Sequence, residues 1–247
     1  MKQWGWAAVG LGVYAIALLA STPASLLDAK LAHDSKGRIR LADAAGTIWS
    51  GSGQIEVRDA AGQSGIAKNL LWRVLPESFW RGRLLCDVEL DRSSNRFPVS
   101  LSISRVEIGN LETSLPASAL GLGIAKLAPL RLTGEVAVRV ASMAIERGNM
   151  IGSLTLQWRD AGSILTPIAP LGTYELRLDG DGKTVHANLR TIQGPLDLDG
   201  KGTWAPGTSP AFLATARVPV EHQQQLGPLL RLIAVERSPG NFELALK

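Results

Sequence analysis

Apolar and polar residues alternate with a period of two along most of this chain. Leu84, Cys86, Val88 and Leu90 alternate with Asp87 and Glu89, and Val99, Leu101 and Ile103 with Ser100, Ser102 and Ser104. Val136, Val138 and Val140 share a parity with Leu132, while Thr133, Glu135 and Arg139 take the other. The same pattern recurs in Leu154–Trp158, Tyr174–Leu178, Val185–Leu189 and Leu196–Asp199. Successive side chains of a strand point to opposite faces, so this alternation predicts strands with one apolar and one wetted face. Such one-sided strands are typical of antiparallel sheets. Turn signals separate the runs at Arg147-Gly148-Asn149 and Asp179-Gly180-Asp181-Gly182. Closely spaced strands joined by Gly-rich turns predict an antiparallel meander. The apolar parity slips after Ile103, to Val106 and Ile108, and after Leu189, to Ile192. A β-bulge is the expected cause of both slips.

Helical periodicity is scarce. Short helices are expected at residues 24–33, 76–81, 114–122 and 223–237, the last packing Leu226, Leu229, Leu230 and Ile233 on a sheet. So few helices cannot cover so many one-sided strands. The fold class is therefore mainly β: a curved antiparallel sheet, as a half-open barrel or a sandwich-like meander. A weak internal echo links Leu71-Trp72-Arg73 to Gln157-Trp158-Arg159, and Gly46-Thr47-Ile48-Trp49 to Gly202-Thr203-Trp204. Two similar β units, 38–110 and 130–247, fit this echo, and a single continuous sheet fits it equally.

The N-terminus breaks the pattern. No charge occurs from Trp4 to Ala20, and Lys2 precedes the run. About 17 to 25 apolar residues suffice to cross a bilayer as one helix. A basic residue on the short side keeps that side in the cytoplasm. The run exceeds the 7 to 15 residues of a typical signal core, and Ser21-Thr22-Pro23-Ala24-Ser25 makes a poor A-x-A cleavage site. The reading is an uncleaved N-terminal transmembrane helix over 1–22, with a cleaved signal peptide as the competing one. Residues 23–247 form the exported β-rich domain.

Composition removes function classes rather than adding them. The chain carries 26 Lys and Arg against 22 Asp and Glu, a net charge of +4, spread without a basic block. Aromatics make up 5% of residues and do not cluster into a stacking platform, so no nucleic-acid partner is expected. Cys86 is the only cysteine and cannot form an internal disulfide or half of a C-x-x-C pair. At an apolar position of its strand it reads as a small buried hydrophobe. G-x-S-x-G, S-x-x-K, the P-loop and G-x-G-x-x-G before a helix do not occur, and His33, His186 and His222 stand apart. The expectation is no catalytic residue, no metal site and no cofactor. Asp179, Asp181, Asp197 and Asp199 invite a calcium reading, but the remaining ligands of an EF-hand loop are missing and a plain turn is the better one. Trp49, Trp72, Trp80, Trp158 and Trp204 read first as core. Phe79-Trp80-Arg81, beside Pro76, also suits a membrane surface.

The punctuation of the chain resembles a known family. Gly46-Thr47-Ile48-Trp49-Ser50-Gly51, Leu71-Trp72-Arg73-Val74-Leu75-Pro76 and Gly82-Arg83-Leu84 resemble the type II secretion system protein N family (general secretion pathway protein N). So do Gln193-Gly194-Pro195-Leu196, Gly200-Lys201-Gly202-Thr203-Trp204 and Gly240-Asn241-Phe242-Glu243-Leu244. The resemblance implies a single-pass bacterial inner-membrane protein with a periplasmic domain and no enzymatic activity. It implies a structural role in export of folded proteins. Its implied partners are the inner-membrane platform proteins and the outer-membrane secretin. The alternative function is a periplasmic lipid- or hydrophobe-binding module, using the apolar groove of a curved sheet.

Overall fold

The computed structural model describes residues 11, 13–14, 17–58, 64–91, 96–123, 125–208 and 211–246. The chain divides into two compact units, Met1–Arg96 and Phe97–Lys247.

In the first unit, helix α1 (Ser25–Asp34) precedes β1 (Ile39–Gly46), β2 (Ser50–Arg58), β3 (Ser64–Leu75), a 3₁₀ turn (Pro76–Arg81) and β4 (Leu84–Leu90). Each strand pairs antiparallel with its sequence neighbour, in the order β1-β2-β3-β4. Helix α1 is fastened to β1 by one carboxylate. Asp28 accepts from Arg40 Nε and Nη2 at 2.9 and 2.8 Å, and from the Leu41 N–H at 2.8 Å. The side-chain hydrogen bond from Arg40, then the one from the Leu41 amide, holds the Asp28 pKa down to about 2. Of the anchor expected over 1–22, residues 1–10, 12, 15 and 16 lie outside the described residues. Residues 17–20 are helical, and the Ser21 N–H donates to Ala17 O at 3.0 Å. Among the described residues no helix is long and apolar enough to cross a membrane.

The second unit holds β5 (Arg96–Leu101), β6 (Arg105–Pro116), a 3₁₀ turn (Ala117–Ala119), α2 (Leu120–Gly123), a second 3₁₀ turn (Ala125–Leu130), β7 (Leu132–Glu146), β8 (Asn149–Ser163), β9 (Gly172–Asp181), β10 (Val185–Gln193), β11 (Asp197–Trp204), β12 (Ala211–Arg217), a 3₁₀ turn (Val220–His222), α3 (Gln223–Leu230), β13 (Val235–Ser238) and β14 (Asn241–Leu246). Strand order follows chain order from β5 to β12 and then reverses once, to β14 and β13. Among the described residues β13 pairs only with β14, so this sheet does not close on itself. The ladder is therefore an open antiparallel sheet.

Local chemistry explains the turns. β7 and β8 meet at Arg147-Gly148, both at positive φ (50° and 86°), the signature of a type I′ turn whose twist matches the strands it joins. Between β9 and β10, Asp181 Oδ1 accepts from the Lys183 and Thr184 N–H groups, each at 2.7 Å. The bulge expected after Leu189 is present, as a register shift between Thr191 and Gln193 against β9. The bulge expected after Ile103 is not. The Ser102 N–H donates to Arg105 O at 2.8 Å, and the parity changes because the chain reverses there from β5 into β6.

The expected helices are trimmed by sheet pairing. Ser114–Pro116 continue β6 opposite β7, because Leu115 faces Val136. Helix α3 stops at Leu230 rather than 237, because Val235 and Glu236 pair with Glu243 and Phe242 across the Ser238–Asn241 turn. The core of this unit sits at one end of the sheet. Leu226, Leu229 and Leu230 of α3 pack there with Val136, Leu171, Leu196, Ala216, Val218 and Phe242. Leu226 is 0% exposed.

The sequence echo has a structural counterpart in each unit. Trp72 Nε1–H donates to Thr47 O at 3.2 Å, and Trp158 Nε1–H to Thr133 O at 2.9 Å. In both, the acceptor lies 25 residues upstream, at the junction of a strand and a positive-φ glycine, Gly46 or Gly134.

Candidate functional site

Residues opposite one another in a ladder share a face. The register therefore assembles the apolar positions of the second unit into rungs. One rung runs through Leu115, Val136, Trp158 and Tyr174, and continues as Leu198, Ala216 and Phe242 beyond the β10 bulge. Helix α3 and the 117–130 segment cover it. The next rung runs Val138, Leu156, Leu176, Leu189, Gly200, Ala214, Leu244, and the third Val140, Leu154, Leu178, Ala187, Gly202, Phe212. Here cover runs out. Leu154, Leu176, Leu178, Leu189, Phe212 and Leu244 are all half-buried. The glycines of β11 let the Phe212 ring lie down: a Cβ on Gly202 would fall 2.5 Å from Phe212 Cδ2, and one on Gly200 2.9 Å from Cζ. An aromatic packed over strand glycines is a known device for holding register.

The first unit repeats the arrangement on a smaller scale. Ile39, Val57 and Ile66 form one rung, Leu41 and Ile55 the next, and Gly51, Trp72 and Val88 another. Leu41, Trp72 and Cys86 are buried, whereas Ile55, Val57, Ile66, Leu70, Val88 and Leu90 remain half-exposed. Each unit thus carries an apolar sheet face that its own helices only partly cover.

The opposite face of the second unit is shallow and mixed, with apolar Leu213, Ala211 and Ala245 set among its polar side chains. A wide-open depression of about 580 Å³ is rimmed by Asp179, His186, Asn188, Lys201 and Thr203. A neighbouring one of about 490 Å³ is rimmed by Arg105, Glu107, Ser142, Ser153 and Arg177. Arg105 pairs with Glu107 (2.6 Å) and Glu146 (3.4 Å), and Arg177 with Asp179 (2.8 Å), whereas Lys201 has no carboxylate within ion-pair distance among the described residues. Both depressions are wide and solvated rather than enclosed.

The individually suspected residues are not brought together. His33 ends α1, His186 projects from β10 and His222 sits in the turn before α3. The acidic turn is internally satisfied: backbone hydrogen bonds from Thr184, then Lys183, lower the Asp181 pKa. Asp199 lies opposite Arg190 and Asp179 opposite His186, four residues apart along β10. At ~3.3 Å per residue those carboxylates stand ~13 Å apart along the strands. Among the described residues no three His, Cys, Asp or Glu side chains converge as a metal would need. Cys86 is buried, and that burial pushes its pKa up. Of the tryptophans, Trp72 is buried and Trp158 packs against the core, tilted on Tyr174 at 5.7 Å. Trp80 is 95% exposed.

One cluster has no counterpart in the sequence argument. Trp49 Nε1–H donates to Leu19 O at 2.8 Å, and its ring meets Phe79 edge-on at 5.7 Å. Residues 19 and 79 lie sixty positions apart, so only the fold places them on one tryptophan. The signal available in the sequence was the aromatic pair Phe79-Trp80 beside Pro76; Trp80, expected first in the core, is instead on the surface.

No curated protein and no solved structure matches this chain. A family model does: the model for "Type II secretion system (T2SS), protein N" matches residues 37–245, nearly all of the β-rich portion, and the chain belongs to that family.

Proposed function

We propose that this type II secretion component is a non-enzymatic scaffold, held at the inner membrane by residues 1–22 and presenting residues 23–247 in the periplasm. It supports export by docking other components of the system. The observation that carries the reading is the open sheet itself. Its edge strands leave backbone groups free to pair and its faces are broad, while no metal-type cluster of His, Cys, Asp and Glu forms among the described residues. Strand β13 is exposed at each of its four residues, with one side of its backbone unpaired by strand. An open edge of this kind accepts an added strand from a partner. Platform proteins and the secretin are the proposed partners.

The test is photo-crosslinking in the native host, from a reactive residue replacing Val235 or Ser238 on β13. Adducts with the secretin or a platform protein at native expression levels support the scaffold. Monomeric behaviour without adducts from both positions rejects it.

The half-covered apolar face supports a second reading, a lipid- or hydrophobe-binding module. Six large side chains half-exposed along two adjacent rungs make a surface that an acyl chain would dehydrate. At ~25 cal/mol per Å² of apolar area, ~200 Å² removed from water is worth ~5 kcal/mol before ordering costs. Native mass spectrometry of protein transferred from detergent distinguishes the two. A co-purifying lipid supports the binding module, and a bare chain argues against it.

A further inference from the structure

We infer that the 3₁₀ turn Pro76–Arg81 is a second membrane contact, which seats Phe79 and Trp80 in the lipid headgroup layer beside the point where the anchor leaves the bilayer. The inference rests on the proposed reading of residues 1–22 as that anchor.

The geometry begins at residue 19. Leu18 and Leu19 are exposed, and their helix ends as the Ser21 N–H and hydroxyl both bond Ala17 O. The chain is then stitched at once to the β1–β2 connection. The Ile48 N–H donates to Thr22 O (3.0 Å), the Ala24 N–H donates to Gly46 O (3.1 Å), and Pro23 bridges Thr47. Trp49 adds its indole bond to Leu19 O. The Val74 N–H in turn bonds Trp49 O at 2.7 Å, tying this junction to the end of β3, where the 3₁₀ turn begins. The end of the anchor and the aromatic turn are therefore fixed to the same few backbone atoms.

The turn itself is braced. Ser78 Oγ donates to Leu75 O at 2.6 Å and accepts from the Leu85 N–H at 2.9 Å, and Gly82 closes it in the left-handed region at φ 65°. It presents two aromatics, Phe79 at 44% exposed and Trp80 at 95%, beside the exposed carboxylate of Glu77. A soluble surface has little reason to hold an indole that far out. Trp favours the membrane–water interface, where its ring is half-dehydrated and its N–H stays wet. The interfacial layer on each side of a bilayer is ~5–8 Å deep. Phe79 meets Trp49, whose indole bonds Leu19 O, so one tryptophan ring links the turn to the anchor's exit. Arg83, exposed just after the turn, adds a cation suited to anionic headgroups.

The test uses the full chain, reconstituted in vesicles of phosphatidylcholine and phosphatidylglycerol. An environment-sensitive fluorophore is attached at Glu77→Cys in a Cys86→Ser background, leaving Phe79 and Trp80 in place. The reference label is Arg38→Cys, whose backbone carbonyl bonds Arg58 at the far end of β2, ~25 Å from Ser50. The expected result is a blue-shifted label at 77 that headgroup-proximal brominated lipid quenches, and a label at 38 with aqueous emission and no quenching. Phe79→Ser with Trp80→Ser should abolish the quenching at 77. A chain that stays embedded after alkaline extraction while the label at 77 matches that at 38 overturns the inference and leaves the anchor intact. A chain that alkali strips from the vesicles overturns the anchor.

Discussion

Tyr174 gives the sharpest quantitative handle on this fold. It is 2% exposed, its ring packs on Trp158, and its phenol oxygen lies 3.0 Å from both Leu171 O and Leu196 O. One O–H donates to one carbonyl at a time, and Leu171 O also receives the Leu196 N–H at 3.2 Å. The hydroxyl therefore matters most to Leu196 O. Tyr174→Phe keeps the ring and removes the donor, which should cost ~1.5 kcal/mol at pH 8. The pH dependence is the diagnostic part. Burial, then the nearby Asp197 charge, raises the phenol pKa well above its ordinary 10.0. The folded state thus keeps its proton while the unfolded chain begins to lose it near pH 10. The contribution is complete below that pH, and wild-type stability falls by ~1.4 kcal/mol per unit above it. The phenylalanine variant lacks this slope. The two stabilities should converge near pH 11 and invert by pH 12. Urea unfolding in detergent, followed by far-ultraviolet circular dichroism at pH 8, 10, 11 and 12, measures it. A gap that stays constant across this range, or no gap at pH 8, would refute the buried-donor argument.

Three further outcomes test other parts of the structure. Leu226→Ala should destabilise the second unit by ~3–4 kcal/mol, because a fully buried side chain leaves a cavity, whereas Leu213→Ala, at a 51% exposed position, should stay within ~0.5 kcal/mol; their urea midpoints decide. Asp28→Asn should cost ~1 kcal/mol at neutral pH by loosening α1 from β1. Because the Asp28 pKa is lowered, that penalty should be full above pH ~4 and vanish as pH falls through about 2, which acid titration of the unfolding midpoint reads. Gly152→Ala should cost ~2–3 kcal/mol, since the residue sits at φ 109° beside the β7–β8 bulge and an added Cβ would stand 2.3 Å from Ser142 O; thermal unfolding of the variant checks it.

Period-two patterning carried most of the strand assignment, because one-sided strands encode their faces residue by residue. Leu84–Leu90 and Val185–Leu189 form strands where the alternation places them. The errors share a cause. Residues 114–116 and 235–237 have helical composition, and long-range pairing with Val136 and Phe242 overrode it, while 117–122 turn helically as expected. The Ile103 slip shows the same limit: a parity change marks a break, and whether it is a bulge or a reversal depends on the partner strand. At the junction of anchor and sheet, Trp49 was visible as an aromatic, but its bond to Leu19 is a tertiary fact that no local pattern encodes.

The single reversal in strand order has a consequence for how the chain is made. From β5 to β12 each strand finds its partner next in sequence, so hairpins can form one by one as the polypeptide emerges N-terminus first. Strand β12 cannot complete its outer ladder that way. Its partner is β14, beyond α3 and β13, and Phe242 of β14 joins Leu226 in the core. Residues 241–246 therefore act as the latch: until they pair, β12 stays open on that side and the helical cover lacks Phe242 beneath it. Proteases that patrol unfinished proteins would find their opening there.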